Sequence, residues 1–154
     1  MQSIEDAYRR FIRERFELPT QGDVADDERM MNVELPRDYV RYLLEYNGGW
    51  FTEPSIVTEE IKIDFDRLTV MFGIGASHLT AELADEGRIN IWDDNDPPQM
   101  LPIGYTLRGN FIVMFVVPGD DDYGEIALKT PQSSYFLASS ISEFFETLQT
   151  PPEE

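Results

Sequence analysis

The sequence of 154 residues contains no cysteine and a single histidine, His78. Without cysteine, no disulfide and no thiolate site is available. One imidazole excludes a metal site built from several histidines. No apolar run approaches the roughly 20 residues of a membrane helix, and the first residues lack the basic-then-apolar plan of a signal peptide. These absences favour a cytoplasmic protein without a membrane partner.

Basic residues are also scarce, since twelve Lys+Arg face thirty Asp+Glu and the net charge is −18. The imbalance is concentrated in residues 42–154, which carry five basic and twenty acidic side chains, whereas residues 1–41 carry seven and ten. A field of this sign repels nucleic-acid phosphates and anionic lipid, and it attracts basic partners. We therefore expect no nucleic-acid partner. A second interpretation is that the acidity only keeps the protein soluble.

No motif for catalysis or cofactor binding occurs in the chain. The serines have no G-x-S-x-G elbow, and no glycine precedes a Lys-Ser/Thr pair as in a phosphate-binding loop. Two carboxylate clusters remain, at residues 93–96 and 120–122, but neither has the ligand spacing of an EF-hand. We expect no catalytic residue, no cofactor and no metal ion. The clusters are either exposed acidic turns or contacts for a basic partner.

The clearest segment of the chain is the stretch from Leu35 to Trp50. Pro36 fits the first turn of a helix, where its missing N–H costs nothing. An apolar stripe formed by Tyr39, Leu43 and Tyr46 predicts an amphipathic helix. The helix is expected to end at residues 47–49, Asn-Gly-Gly, because Asn and Gly enter the left-handed conformation at lowest cost.

The remaining pattern predicts one domain over residues 1–154. Ser3 caps an N-terminal helix of about residues 3–17, and the polar stretch 20–34 is expected to be a loop. The apolar run Phe111–Val117 predicts a central strand. A last helix starts at Ser140. Helices at both ends with strands between them predict an α+β fold, an antiparallel-dominated sheet flanked by helices.

Three segments, in order, resemble the SUKH superfamily, which joins yeast Smi/Knr-type cell-wall synthesis regulators to bacterial immunity proteins. They are the Leu-Pro-x-Asp-Tyr helix with its Asn-Gly-Gly end, the hairpin from Leu101 to the strand after Gly124, and the closing helix at Phe144. The resemblance covers about residues 30–149, and the loop at residues 120–123 is more acidic than is usual in the family. The motif positions are Leu35, Pro36, Tyr39, Leu43, Asn47, Gly48, Gly49, Gly104, Gly109 and Gly124.

The resemblance implies an α+β fold of the SUKH type, no catalytic activity and a binding role. Such bacterial proteins commonly neutralise a cognate polymorphic toxin, often a nuclease. The strong negative charge suits a basic toxin surface. The candidate partner-binding residues are Asp93, Asp94, Asp96, Asp120, Asp121, Asp122 and Tyr123. Whether the protein is a monomer or a homodimer stays open, because a sheet edge can pair with a second copy.

Two other functions are compatible with the sequence. One is a regulatory or scaffold module related to the cell-wall synthesis regulators, with no toxin partner. The other is an enzyme or metal-binding protein that acts through the carboxylate clusters.

Overall fold

The computed structural model describes residues 2–57, 65–74 and 99–152. This part of the chain has an α+β fold with four helices and nine strands. The helices are α1 (Ile4–Phe11), α2 (Gln21–Met31), α3 (Arg37–Glu45) and α4 (Ile141–Thr147). The strands are β1 (Ile12–Glu14), β2 (Gly49–Phe51), β3 (Ser55–Ile56), β4 (Asp66–Met71), β5 (Met100–Thr106), β6 (Phe111–Phe115), β7 (Ile126–Lys129), β8 (Ser134–Ala138) and β9 (Leu148–Gln149). The predicted fold class is confirmed.

The strands form one antiparallel sheet in the order β1-β2-β4-β5-β6-β7-β8, and β3 pairs with both β4 and β9. The predicted central strand is β6, which lies between β5 and β7 and ends at Phe115. Its side chains alternate between two clusters. Ile112 belongs to the larger cluster and Val113 to the smaller one, and both are fully buried. A nearly continuous apolar run is typical of a strand covered on both faces.

Helices α1, α3 and α4 pack together through aromatic side chains. The ring of Phe145 in α4 lies 5.6 Å from that of Tyr8 in α1 and 5.4 Å from that of Tyr42 in α3. Burial of such large rings contributes most of the energy of a core of this kind. Ser140 caps α4 as predicted, since its hydroxyl accepts a hydrogen bond from the backbone N–H of Glu143.

The N-terminal helix is shorter than predicted. Ser3 caps it as expected, but the helix ends at Phe11 and the chain continues as β1. Ile12 pairs with Phe51 of β2, and the N–H of Thr52 donates to the carbonyl of Phe11 at 2.7 Å. Pairing with a strand distant in sequence therefore outweighs the helical periodicity of residues 12–17.

The prediction of a loop over residues 20–34 is wrong, because α2 occupies most of it. Thr20 and Asp23 form a reciprocal capping box at its start, and Asn32 ends it in the left-handed conformation with φ 56°. Val24 is the only residue of this helix that is buried. A helix that buries so little has almost no apolar stripe, which is why periodicity did not predict it.

The predicted helix after Leu35 is confirmed as α3. It starts directly after Pro36, and it is followed by positive φ values at Asn47, Gly48 and Gly49. The buried stripe differs from the prediction at one position, since Tyr42 is buried and Tyr46 is only half-buried.

Helices of the described residues are too short or too polar to cross a bilayer.

Candidate protein-binding surface

The loop between β6 and β7 carries three consecutive aspartates, Asp120, Asp121 and Asp122, and it is held by its own backbone. The carbonyl of Val117 accepts from the N–H of Asp120 at 3.2 Å. The carbonyl of Asp120 accepts from the N–H of Tyr123 at 3.1 Å. Such successive turns shape the backbone of the loop, and Asp120 and Asp121 are exposed on it.

Tyr123 ties this loop to the connection between α2 and α3. Its hydroxyl donates to the carbonyl oxygen of Glu34 at 2.6 Å. Desolvation raises the pKa of Tyr123, and the neighbouring carboxylates of Glu34, Glu28 and Asp38 raise it further. The carboxylates that act on this phenol come from α2 (Glu28), from the connection (Glu34) and from α3 (Asp38). We call this set the acidic surface: Glu28, Glu34, Asp38, Asp120, Asp121 and Asp122.

An open groove of about 530 Å³ runs beside the acidic surface, between the C-terminal part of α2 and the end of β6. Its lining residues are Ala25, Glu28, Arg29, Asn32, Val33, Glu34, Val116, Val117 and Pro118. The groove therefore combines apolar walls with carboxylates. One cation also lines it, but the guanidinium of Arg29 forms an ion pair with the carboxylate of Asp26.

The arrangement suits binding of a cationic side chain. Within residues 2–57, 65–74 and 99–152, no group of three or more His, Asp or Glu could hold a metal ion. Carboxylates beside an apolar groove can attract a cationic side chain and bury its aliphatic part. The predicted candidates Asp93, Asp94 and Asp96, together with His78, lie outside the described residues.

Three of the family-motif residues, Asn47, Gly48 and Gly49, lie in a different part of the molecule, and together with Gly73 they form what we call the glycine junction. The side-chain amide of Asn47 donates to the carbonyls of Glu17 at 2.7 Å and Ile74 at 2.8 Å. Its oxygen accepts from the N–H of Ile74 at 2.8 Å. Asn47 thus joins the end of α3 to the segments that follow β1 and β4.

Gly48 is packed against backbone on the β4 side of the junction. A Cβ atom there would overlap the carbonyl oxygen of Met71 and would lie 2.9 Å from that of Phe72. The hydroxyl of Tyr8 donates to the carbonyl of Gly48 at 3.0 Å and lies 2.7 Å from the hydroxyl of Tyr42. Burial raises the pKa of both tyrosines well above their ordinary value. At Gly48 the junction is closed, because the carbonyl oxygens of Met71 and Phe72 occupy the space that a side chain would need.

Three further motif glycines lie in or beside the central hairpins. Gly104 in β5 is buried, and a Cβ there would lie 2.9 Å from the sulfur of Met71. Gly109 lies in the turn between β5 and β6, where Asp66 accepts hydrogen bonds from the hydroxyl of Thr106 at 2.6 Å and the amide of Asn110 at 2.8 Å. Gly124 ends the acidic loop beside Pro36.

The sequence predicts the aspartates of the loop as contacts, and this stays a prediction. It does not predict that Glu28, Glu34 and the groove wall lie near this loop. The available signal was the Thr20–Asp23 capping box followed by Asn32. That signal predicts a helix, although it does not predict which residues face β6.

Comparison with known proteins agrees with the motifs. The model of the SMI1/KNR4 family (SUKH-1) matches residues 18–147. The chain is 28% identical over 155 residues to the SPbeta prophage-derived uncharacterized protein YokK of Bacillus subtilis (strain 168), and the alignment covers 89% of this chain and 78% of that protein. The match starts at Leu18 and therefore includes α2, which lies partly outside the span that the motifs indicated. The chain belongs to the SMI1/KNR4 family (SUKH-1).

Proposed function

We propose that this protein is an immunity protein that binds a cognate bacterial toxin and neutralises it without catalysis. The observation that carries the proposal is the acidic surface, in which Tyr123 holds the aspartate loop against Glu34 at 2.6 Å. Membership of the SUKH-1 family supports a role in toxin immunity or a related binding role.

The expected partner is a basic protein, such as a nuclease. A nuclease needs a positive surface to hold phosphates, and a rigid acidic surface can cover it and exclude nucleic acid. Long-range attraction mainly raises the association rate and selects basic partners, whereas apolar contacts supply most of the affinity. Blocking a surface in this way needs no catalytic group, no cofactor and no metal ion.

Co-expression tests the proposal. The product of the gene immediately upstream should arrest growth when expressed alone, and this protein should restore growth and co-purify with it. The triple variant Asp120→Asn, Asp121→Asn, Asp122→Asn should protect less well, because it removes three charges from the acidic surface. A neighbour that is not toxic, or that does not bind, contradicts the proposal.

A second function, a regulatory or scaffold module, has the support of the family's Smi/Knr-type members. The same acidic surface would then bind a basic protein that has no toxic activity. Growth during expression of the bound protein alone distinguishes the two functions, since only a toxin arrests it.

A further inference from the structure

We infer that the groove between α2 and the end of β6 receives a single lysine or arginine side chain of the protein partner. This inference rests on the proposed function and specifies where on the acidic surface the basic partner is anchored. The groove is large enough for one long side chain, at about 530 Å³.

The walls of the groove fit the aliphatic part of such a side chain. Val33 lies on one wall, and Val116 and Val117 lie on the other. Val33 and Val117 are half-buried, so they still present apolar surface. The methylene groups of lysine and arginine are long enough to lie along apolar walls while the charged end reaches polar groups at the rim.

The carboxylates of the groove favour a positively charged group at its rim. Glu28 and Glu34 both line the groove. One carboxylate oxygen of Glu28 accepts a hydrogen bond from the N–H of Leu35 at 2.9 Å, which holds this side chain in place. Arg29 is bound to Asp26 on its own helix. Anionic occupants are repelled by the carboxylates, and a purely apolar occupant leaves them without a cationic partner.

The groove is formed before any partner arrives. The N–H of Val33 donates to the carbonyl of Glu28 at 3.0 Å, and the N–H of Val116 donates to that of Gln99 at 2.9 Å. Tyr123 joins the two sides through its bond to Glu34. Preformed walls reduce the entropic cost of binding, which is what a central anchor of an interface requires.

A fragment experiment tests the groove without the partner. We would titrate the isotope-labelled protein with n-butylguanidinium, and compare n-butanol and guanidinium as controls that each lack one half of the side chain. We expect n-butylguanidinium to shift the amide resonances of Val33, Val116 and Val117, with a dissociation constant of the order of millimolar. Equal shifts with guanidinium, or shifts confined to other residues, would overturn the inference.

A matched pair of variants in α2 tests the groove with the partner. Ala25 is exposed and lines the groove, whereas Met30 is exposed on the same helix and is absent from its lining. Ala25→Lys and Met30→Lys add the same charge and suit a helix equally, so both should fold. Ala25→Lys should weaken binding of the upstream gene's product by about tenfold or more, and Met30→Lys by about threefold or less.

The outcomes separate this inference from the proposed function. If both variants weaken binding equally while the wild type binds tightly, the toxin meets the acidic surface but the groove does not anchor it. If the wild type itself does not bind the upstream gene's product, the proposed function fails and the anchor fails with it.

Discussion

The glycine junction and the groove of the acidic surface differ in packing, since the junction is tightly packed and the groove is open. At the junction, Asn47 is fully buried and makes three side-chain hydrogen bonds, and Gly48 has no space for a methyl group. At the groove, the lining residues leave about 530 Å³ open and include the carboxylates of Glu28 and Glu34. The junction holds the chain together, whereas the groove is available to a partner.

This difference separates the motif residues Asn47, Gly48 and Gly49 from the surface that we propose as the binding site. The motif positions Gly48 and Gly49 are constrained by backbone contacts, so a side chain at either position would require a shift of its neighbours. The acidic loop is constrained only by its turns and by Tyr123.

Substitution of Gly48 in the junction should have the largest effect on the stability of the fold. Gly48→Ala places a methyl group against the carbonyl oxygens of Met71 and Phe72 at φ 76°, so we expect the free energy of unfolding to fall by about 3 kcal/mol or more. Gly119 is the matched control, because it has φ 90° and no atom within 4 Å of a Cβ. Gly119→Ala should cost about 1 kcal/mol from backbone strain alone.

Urea unfolding measures the free energy of unfolding of both variants. Similar losses for the two glycines would show that the junction is not tightly packed, and the contrast between the two regions would fail.

The buried tyrosines beside the junction, Tyr8 and Tyr42, predict that the protein loses stability at alkaline pH. Burial raises the pKa of Tyr8 above its ordinary value of 10.0. Above pH 10 the unfolded chain releases this proton while the folded chain retains it, so stability is complete below pH 10 and falls as the pH rises further. The contribution of Tyr8 to this fall is about 1.4 kcal/mol per pH unit.

Tyr8→Phe isolates that contribution. The variant should be less stable at pH 8 by about 1 kcal/mol, because the hydroxyl bonds to Gly48 and Tyr42 are lost. Its stability should then fall less steeply than the wild type between pH 10 and 11, as urea unfolding at each pH measures. Parallel curves would show that the phenol of Tyr8 already ionises near pH 10 in the folded protein.

Charge reversal in the acidic loop should have the smallest effect on the fold and a moderate effect on association. Changing Asp120, Asp121 and Asp122 to Lys should slow association with the basic partner about fivefold at low salt, and less at high salt because of screening. Stopped-flow mixing at two salt concentrations measures both rates.

A control for this prediction reverses three exposed carboxylates on other elements, Glu14, Glu17 and Glu143. It changes the net charge equally, so a similar slowing would show that the total charge matters and the position of the loop does not.

Sequence patterns predicted the elements whose signals are local and strong. Helix α3 has a proline start and an Asn-Gly-Gly end, and β6 is a continuous apolar run. Residues 12–14 were assigned to a helix because their periodicity is ambiguous, and only the pairing of Ile12 with Phe51 makes them a strand. The local pattern of apolar residues does not show such a contact between segments that are distant in sequence.

The sequence also predicts only part of the acidic surface, for the same reason. The aspartates of residues 120–122 are visible as a charge run, and their assignment as contacts remains a prediction. Their closeness to Glu28 and Glu34 depends on the fold, through the bond of Tyr123 to Glu34. The groove needs two walls from distant segments, and α2 carries almost no apolar periodicity.

The central claim is that a protein toxin binds the acidic surface and its groove. Hydrogen exchange tests this claim most directly, measured on the protein alone and on its complex with an inactive variant of the upstream gene's product. We expect binding to slow exchange in residues 21–34 and 117–125, where the acidic surface and its groove lie. Exchange at residues 47–49 should stay unchanged, since the junction is closed in both states. Protection that is absent from residues 21–34 and 117–125, and present elsewhere, would contradict the account.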